Sequence, residues 1–208
     1  WIIRQALPGA RVISLDPKPP LKRLDKVEYW VGKDWVDLAK VDWKSKGIDP
    51  SKTALFIDDH QSAYKRVFLE MRNQGFYKFL IEDNYPYLKG DNYSFKYVCE
   101  VERRSEWPPH IPDNFGKIHI PLTWEKHLEH ANFLKTALVQ YYEFPPVATS
   151  ELSGQTRFDQ RVTSTPIVTD AASFNMLLAS IHKDELTGYT HFAYVEIDPD
   201  TTAVPPGF

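Results

Sequence analysis

Two short polar segments in the middle of the chain carry side chains that bind metals and move protons. Residues 58–60 are Asp-Asp-His and residues 82–84 are Glu-Asp-Asn, and each segment directly follows an apolar run. Carboxylate and amide oxygens are the ligands that a hard divalent cation such as Mg²⁺ prefers. An imidazole beside carboxylates also suits a general base, because its pKa lies near neutral pH. These residue types predict a divalent-cation site with a proton acceptor next to it.

The elements that must position these segments are two strands and the helix between them. Residues 53–57 and 76–81 have the length and apolar content of strands, and apolar side chains recur three or four apart between them until Gly75. Such a strand–helix–strand unit forms a right-handed parallel crossover, so both strands end at one edge of the sheet. Open α/β sheets bind their ligands at that edge. The alternative is that residues 58–60 only cap the helix and that residues 82–84 form a plain turn.

The composition bounds the classes of protein to which the chain can belong. With 208 residues, 42% of them hydrophobic, we expect one globular α/β domain over residues 1–208. The formal net charge of −3 provides no basic field for nucleic acid, and a single cysteine excludes a disulfide framework and a thiolate metal site. No apolar run approaches about 18 residues and no signal peptide is visible, so we expect no membrane partner and a cytoplasmic location.

The other segments predict strands and helices in alternation, which favours a doubly wound α/β fold. Strands are predicted at 11–15, 26–31 and 189–197, and helices at 1–7, 36–41, 123–142 and 171–184. The proline-broken segments 85–122 and 143–170 are interpreted as insertions or lids near the active edge, and residues 198–208 as a loose tail. His127 and His130, three apart on one predicted helix, are interpreted as part of its solvated face.

The order and spacing of these segments resemble those of class I S-adenosylmethionine-dependent methyltransferases. More narrowly, residues 56–60 (Phe-Ile-Asp-Asp-His) and 80–84 (Leu-Ile-Glu-Asp-Asn) are similar to two strand ends in the metal-dependent small-molecule O-methyltransferases of the catechol and sugar types. The resemblance covers residues 1–86 and the last strand. It implies a Rossmann-like, doubly wound, mostly parallel sheet with an antiparallel closing strand. The glycine-rich turn of that family does not occur in these residues, so the resemblance also implies that the N-terminal strand is missing from this chain.

The resemblance implies that Mg²⁺ or Mn²⁺ is held by Asp83, Asn84 and an aspartate at the end of the preceding strand. Alignment on the apolar run selects Asp58 as that aspartate, whereas alignment on the Asp-His pair selects Asp59, and both stay candidates. In this family the metal binds two neighbouring hydroxyls of the acceptor. The expected metal ligands are therefore Asp58, Asp59, Asp83 and Asn84.

The base implied by the resemblance differs between the two types of enzyme. Catechol-type enzymes place a lysine three residues after the first aspartate, but the corresponding positions here are Gln61 and Ser62. We expect His60 to take the proton instead, or the aspartate that does not bind the metal, with Asp59 as the candidate. This difference favours the comparison with the sugar type.

The resemblance also assigns residues to the cofactor, S-adenosylmethionine, and to the acceptor. Asp16 stands where the family binds the cofactor ribose, and residues 32–35 stand where it contacts adenine; the alternatives are a strand-end turn for Asp16 and a core position for Trp35. The cofactor-binding candidates are Asp16, Gly32, Asp34, Trp35 and Asp58. Aromatic faces with polar tips suit a sugar or polyol, and the acceptor-binding candidates are Tyr85, Tyr87, Asp91, Tyr93 and Trp107.

These expectations predict an S-adenosylmethionine-dependent, metal-assisted O-methyltransferase that acts on a hydroxyl of a small molecule, with a sugar or glycan favoured. Two alternatives stay open. One is a metal-dependent nucleotide-sugar glycosyltransferase, although the adjacent Asp58 and Asp59 lack the Asp-x-Asp spacing usual in that class. The other is a non-catalytic α/β binding module of a larger multidomain protein, with residues 85–112 as its binding surface.

Overall fold

The computed structural model describes residues 3, 6–87, 89–100, 105, 107–108, 110–154, 165–180 and 191–208. The chain divides into two compact units, Trp1–Ile48 and Asp49–Phe208. The expectation of one methyltransferase-like domain over residues 1–208 stays a prediction. Within the described ranges, no helix has both the length and the apolar content needed to cross a membrane.

The described residues form an α/β structure with several small sheets. The strands are β1 (Val12–Asp16), β2 (Val27–Val31), β3 (Ala54–Ile57), β4 (Lys78–Ile81), β5 (Ile111–Asp113), β6 (Ile118–Ile120), β7 (Leu138–Glu143) and β8 (Ala193–Ile197). The α-helices are α1 (Phe95–Glu100), α2 (Trp124–Ala137), α3 (Ser150–Ser153) and α4 (Ala171–Leu178), and a π-helix covers Lys65–Met71.

The first unit contains β1 and β2, which pair in parallel and confirm the strands predicted at 11–15 and 26–31. Trp43 is buried in its core and stacks on Trp30 with the ring centroids 5.9 Å apart. The helix predicted at 36–41 is only a single 3₁₀ turn over Leu38–Lys40, capped by the Asp37 side chain. The helix predicted at 1–7 lies mostly outside the described residues.

The second unit is built on a four-stranded mixed sheet with the order β3-β4-β8-β7. β3 and β4 are parallel, and β8 is antiparallel to both of its neighbours, β4 and β7. Three strands therefore run in one direction and the last strand of the chain runs in the other, as expected of a closing strand. Phe79, Val195 and Ile197 point their side chains into the core, because alternate residues of a strand face the same side.

The helix predicted between β3 and β4 is present, but most of it is a π-helix, Lys65–Met71, followed by a 3₁₀ turn. It ends where predicted, at Gly75, whose φ of 91° is the left-handed conformation that glycine adopts readily. Its buried face combines Val67, Phe68 and Met71 with the charged Arg66. π-helical turns are rare and are frequent at functional sites.

Part of the segment interpreted as an insertion or lid, 85–122, belongs to the core. Tyr93, Phe95 and Tyr97 are almost completely buried, and α1 begins in this segment and packs against α2. The Ser94 hydroxyl donates to the backbone carbonyl of Tyr85, which ties the segment together. These three aromatic side chains therefore fill the interior, because removing their large apolar surface from water is favourable. Of the second predicted insertion, 143–170, residues 155–164 lie outside the described part.

The helix predicted at 123–142 begins as expected, with the Thr123 hydroxyl accepting from the Lys126 amide, but it ends at Ala137. Residues beyond it form β7 and pair with β8, so the prediction was wrong for 138–142. β-Branched and aromatic residues such as Val139 and Tyr141 favour a strand once a partner strand is available.

The interpretation of His127 and His130 as a solvated face was wrong, because both side chains are completely buried. The Tyr93 hydroxyl lies 3.0 Å from Nδ1 of His127, and the Tyr64 ring stacks on His130 at 4.0 Å. Aromatic neighbours cover both imidazoles, which helical spacing alone does not reveal. Burial lowers the pKa of His130.

The tail predicted to be loose, 198–208, is bound to the second unit. The Tyr64 hydroxyl donates to the Pro206 carbonyl at 3.1 Å, and Nε2 of His130 lies 3.2 Å from the Gly207 carbonyl. The Phe208 ring contacts the rings of Tyr64 and His130 edge-on. Hydrogen bonds to buried ring groups hold the tail despite its prolines, so its predicted looseness was wrong.

Candidate metal centre

The ends of β3 and β4 bring the two acidic segments together. The strands are parallel with Ile57 opposite Ile81, so Asp58 and Glu82 follow at the same edge of the sheet. The Glu82 amide donates to the Ile57 carbonyl at 3.0 Å, which extends the pairing by one residue. The predicted meeting of the two segments at one carboxyl edge is confirmed.

Three side chains at this edge converge as metal ligands would. One ligand atom each from Asp58, His60 and Asp83 lies within 4.8 Å of the other two. Asp58 is exposed, His60 is half-buried and Asp83 is 3% exposed, so the group runs from the interior to solvent. Two carboxylates and an imidazole are a donor set that first-row divalent cations accept.

Asp83 is the buried member of the group, and its two oxygens have different environments. Oδ2 accepts from the His60 backbone N–H at 3.0 Å. Oδ1 is inaccessible to solvent and has no hydrogen-bond partner among the described residues, and the ring nitrogen Nδ1 of His60 lies 3.5 Å away. Burial raises the pKa of Asp83. A hydrogen bond with the Glu82 side chain acts in the opposite direction, and a bound cation would also favour the charged form of Asp83.

His60 is held between two carboxylates in an unusual backbone conformation. Its φ of 52° lies in the left-handed region, which costs a non-glycine residue about 1–2 kcal/mol. Its Nδ1 lies 3.2 and 3.1 Å from the two carboxylate oxygens of Asp91. Because an ionised carboxylate can only accept, Nδ1 of His60 is the donor in this contact. The His60 ring also stacks on Phe115, with the centroids 4.0 Å apart.

Glu82 completes a cluster of four carboxylates around one imidazole. Burial, followed by its hydrogen bond to Asp83 and by nearby negative charges, raises the pKa of Glu82 to about 9. The charges that contribute are those of Asp83, Asp58 and Asp91. The sequence placed Glu82 in the acidic segment but did not mark it as a site residue; its position directly after β4 was the available signal. The carboxylates gathered at this edge make it suitable for a cation, which would compete with the Glu82 proton.

Asp59 was predicted as a metal ligand and as a base, but its contacts are elsewhere. Oδ2 accepts from Nε of Arg66 at 2.8 Å, and Oδ1 accepts from the Gln61 amide at 3.2 Å. The Arg66 side chain is buried and also donates to Glu70 at 2.8 Å. Of the two aspartates, Asp58 is therefore the one that lies in the group with His60 and Asp83.

Asn84 was also predicted as a ligand, and both of its side-chain atoms make other hydrogen bonds. Its Nδ2 donates to the Tyr141 hydroxyl at 2.8 Å, and its Oδ1 accepts from the Lys96 amide at 3.0 Å in the first turn of α1. Nζ of Lys96 in turn lies 2.6 Å from a carboxylate oxygen of Glu143. Asn84 thus anchors the segment behind Asp83, and its role as a metal ligand stays a prediction.

Only one of the five predicted acceptor-binding residues lies in the site, and that is Asp91, through its contact with His60. Tyr85 and Tyr93 are buried in the core, and Tyr87 is half-buried. Nε1 of Trp107 donates to the Leu122 carbonyl at 2.7 Å, so this indole is a packing residue. Phe115, which sequence reasoning missed, contacts the site instead.

The predicted cofactor contacts other than Asp58 lie in the first unit. Asp16 is opposite Val31 in the β1–β2 pair, so Asp16 and Gly32 are neighbours at the carboxyl edge of that pair. Gly32 has a φ of 62°, and a Cβ at this position would lie 3.9 Å from Cγ of Pro19. Oδ1 of Asp16 accepts from the Lys18 amide at 2.6 Å, as in the strand-end turn that was the alternative for this residue. Asp34 and Trp35 are exposed, Trp35 by 38%.

Neither family models, nor curated proteins, nor solved structures give a match to this chain.

Proposed function

We propose that the second unit holds a divalent cation between Asp58 and Asp83, with His60 beside it. The observation that carries the proposal is the convergence of the buried Asp83 carboxylate with Asp58 and His60, whose ligand atoms lie within 4.8 Å of one another. Oxygen donors fit Mg²⁺ or Mn²⁺. Asp91 adds a carboxylate near the same point.

We further propose that the chain is an S-adenosylmethionine-dependent O-methyltransferase that acts on a hydroxyl of a small molecule, with a sugar or glycan favoured. The direction of the strands in the four-stranded sheet agrees with the Rossmann-like fold that the resemblance implies. Asp16 pairs with Val31, the residue before Gly32, and this placement at one strand edge supports a cofactor site in the first unit. When bound, S-adenosylmethionine supplies the methyl group as an electrophile.

The chain's own residues supply positioning and proton transfer. A bound cation lowers the pKa of a hydroxyl that it contacts, as metals do for water. Asp83 and Asp58 hold the cation, and Nε2 of His60 accepts the hydroxyl proton. Asp91 orients the imidazole through Nδ1, at 3.1–3.2 Å. A base held in one orientation is effective because it needs no reorganisation when the proton moves.

Calorimetry on the full chain tests the metal and the cofactor separately. We expect wild type to bind Mn²⁺, and Asp83→Asn to weaken this binding by about 10-fold or more, because it removes a charged ligand. Asp200→Asn, an exposed acid outside the site, is the matched control and should bind Mn²⁺ as wild type does. Asp16→Asn should weaken the binding of S-adenosylhomocysteine and leave Mn²⁺ binding unchanged.

Two results would refute these proposals. Equal Mn²⁺ binding by wild type and Asp83→Asn would remove the metal centre. No binding of S-adenosylmethionine or S-adenosylhomocysteine by the full chain would remove the methyltransferase. A parallel titration with a uridine-diphosphate sugar and Mn²⁺ separates this function from the glycosyltransferase alternative.

A further inference from the structure

The hairpin of β5 and β6 has a strained tip beside the metal centre. Three successive residues in the connection have left-handed backbone conformations, with φ of 50° at Asn114, 60° at Phe115 and 68° at Gly116. Glycine adopts this conformation readily, but phenylalanine does so only where its surroundings enforce it. The tip of the hairpin is therefore a fixed feature.

Two hydrogen bonds fix the tip to the segments that carry the site. The buried Asp113 carboxylate accepts from the Ser62 amide at 2.6 Å, just after His60 in the chain. The Gly116 amide donates to the Asp91 carbonyl at 3.3 Å. The tip is thus attached on one side to the His60 segment and on the other to the residue that orients the His60 ring.

These attachments place Phe115 on His60 while leaving much of its ring in water. The two rings stack with centroids 4.0 Å apart and planes inclined by 28°, and Phe115 is 52% exposed. A half-exposed phenyl ring contributes little to folding compared with a buried one. The left-handed backbone of Phe115 and the exposure of its ring both reduce the stability of the folded protein. Features that lower stability in this way are typical of functional sites.

We propose that Phe115 is the wall against which the acceptor packs, and that it selects an acceptor whose hydroxyl is carried on a ring. This inference rests on the proposed function, because the wall is useful only beside a centre that binds the hydroxyl. The exposed part of the phenyl group offers an aromatic surface next to His60, the base. Such surfaces bind the apolar C–H face of a sugar or the face of an aromatic ring. Phe115 is a specificity residue and takes no part in proton transfer.

Lys117 provides a control within the same tip. Its ammonium group lies 5.1 Å from the centroid of the Phe115 ring, and its side chain is exposed. Lys117→Ala removes this charge and keeps the ring. Phe115→Tyr keeps an aromatic surface, and Phe115→Ala removes it.

The test measures the binding of two ring probes, catechol and methyl β-D-glucopyranoside, to the full chain loaded with Mg²⁺. Saturation-transfer NMR gives the affinity of each. We expect Phe115→Ala to weaken the binding of the preferred probe by about 10-fold, while Phe115→Tyr and Lys117→Ala stay within about twofold of wild type. The preferred probe tells a sugar acceptor from an aromatic one.

Mg²⁺ affinity, measured by calorimetry on the same samples, separates failure of the Phe115 proposal from failure of the metal-centre proposal. It should be the same in Phe115→Ala as in wild type, since Phe115 offers no ligand atom. Unchanged probe binding in Phe115→Ala, or no binding of either probe by Mg²⁺-loaded wild type, would overturn the role of Phe115. Failure of wild type to bind Mg²⁺ would instead refute the proposed metal centre itself.

Discussion

Glu82 offers the most direct test of the acidic cluster, because its proton links the site to the stability of the whole unit. Burial and the neighbouring carboxylates raise its pKa from an ordinary value of 4.5 to about 9. At pH 7 the folded protein therefore keeps a proton on Glu82 that the unfolded chain has released. Because the folded-state pKa is the higher one, the contribution of Glu82 to stability is full below about pH 4.5 and is lost as the pH rises toward 9.

The size of this effect follows from the shift. From pH 4.5 to pH 7, about 2.5 pH units at about 1.36 kcal/mol each give an upper limit of about 3.4 kcal/mol. Glu82 is only half-buried, so solvent screening reduces the stability lost between pH 4.5 and pH 7 to about 1–2 kcal/mol. Glu82→Gln keeps the shape and a hydrogen donor but has no charge to suppress. We expect this variant to unfold with a free energy about 1–2 kcal/mol higher than wild type at pH 7.

Urea denaturation followed by tryptophan fluorescence, without divalent cations, checks this expectation. The advantage of Glu82→Gln should be small at pH 4.5 and larger at pH 9 than at pH 7. Glu129→Gln is the control: Glu129 is exposed and pairs with Lys126 at 2.8 Å, so its loss should change stability by less than about 1 kcal/mol. A Glu82→Gln variant that is no more stable than wild type at pH 7 and pH 9 would refute the proposed suppression of charge at this edge.

Three further predictions concern groups outside the metal centre. Burial lowers the folded-state pKa of His130, so on acidification below pH 6.5 the unfolded chain takes up this proton first and the protein loses stability. His130→Gln should lose less stability than wild type over this pH range, as measured by thermal unfolding. Identical pH dependence of the two proteins would contradict this. Arg66→Met should lower the free energy of unfolding in urea by about 3 kcal/mol, because it leaves the Asp59 and Glu70 carboxylates without their buried partner. A decrease below about 1 kcal/mol would show that these ion pairs are solvated. Tyr64→Phe removes the hydrogen bond to the Pro206 carbonyl and should lower the free energy of unfolding by about 1 kcal/mol. It should also increase amide hydrogen exchange in residues 201–208. Unchanged exchange would mean that other contacts hold the tail.

The sheet edge with its acidic segments was predictable from the sequence, because it depends on local rules. Apolar runs of strand length, a helical repeat and Gly75 specify the unit, and the handedness of the crossover specifies that the strand ends meet. The identity of the ligands was only partly predictable. The choice between Asp58 and Asp59 depends on Arg66, whose burial beside Asp59 is a tertiary contact without a sequence signature.

The errors have a common physical cause, which is that the aromatic residues of this chain could belong to the core or to a site. Tyr93 and Trp107 were assigned to an acceptor and are packing residues, whereas Phe115 lies at the site in an Asn-Phe-Gly turn. Whether an aromatic side chain is buried depends on residues far away in the sequence, so composition cannot distinguish a core residue from a site residue. The same holds for residues 138–142, which continue a helical pattern but form a strand because β8 is available to pair with them.

The backbone contact of Asp83 fixes the orientation of its carboxylate. Oδ2 accepts from the His60 amide at 3.0 Å, so rotation of the carboxylate would break this hydrogen bond. An oxygen that accepts one hydrogen bond keeps a second lone pair, so either oxygen could still face a cation. A change in the backbone at His60 would therefore alter the angle at which Asp83 meets an ion bound at this edge, even if every side chain stayed the same.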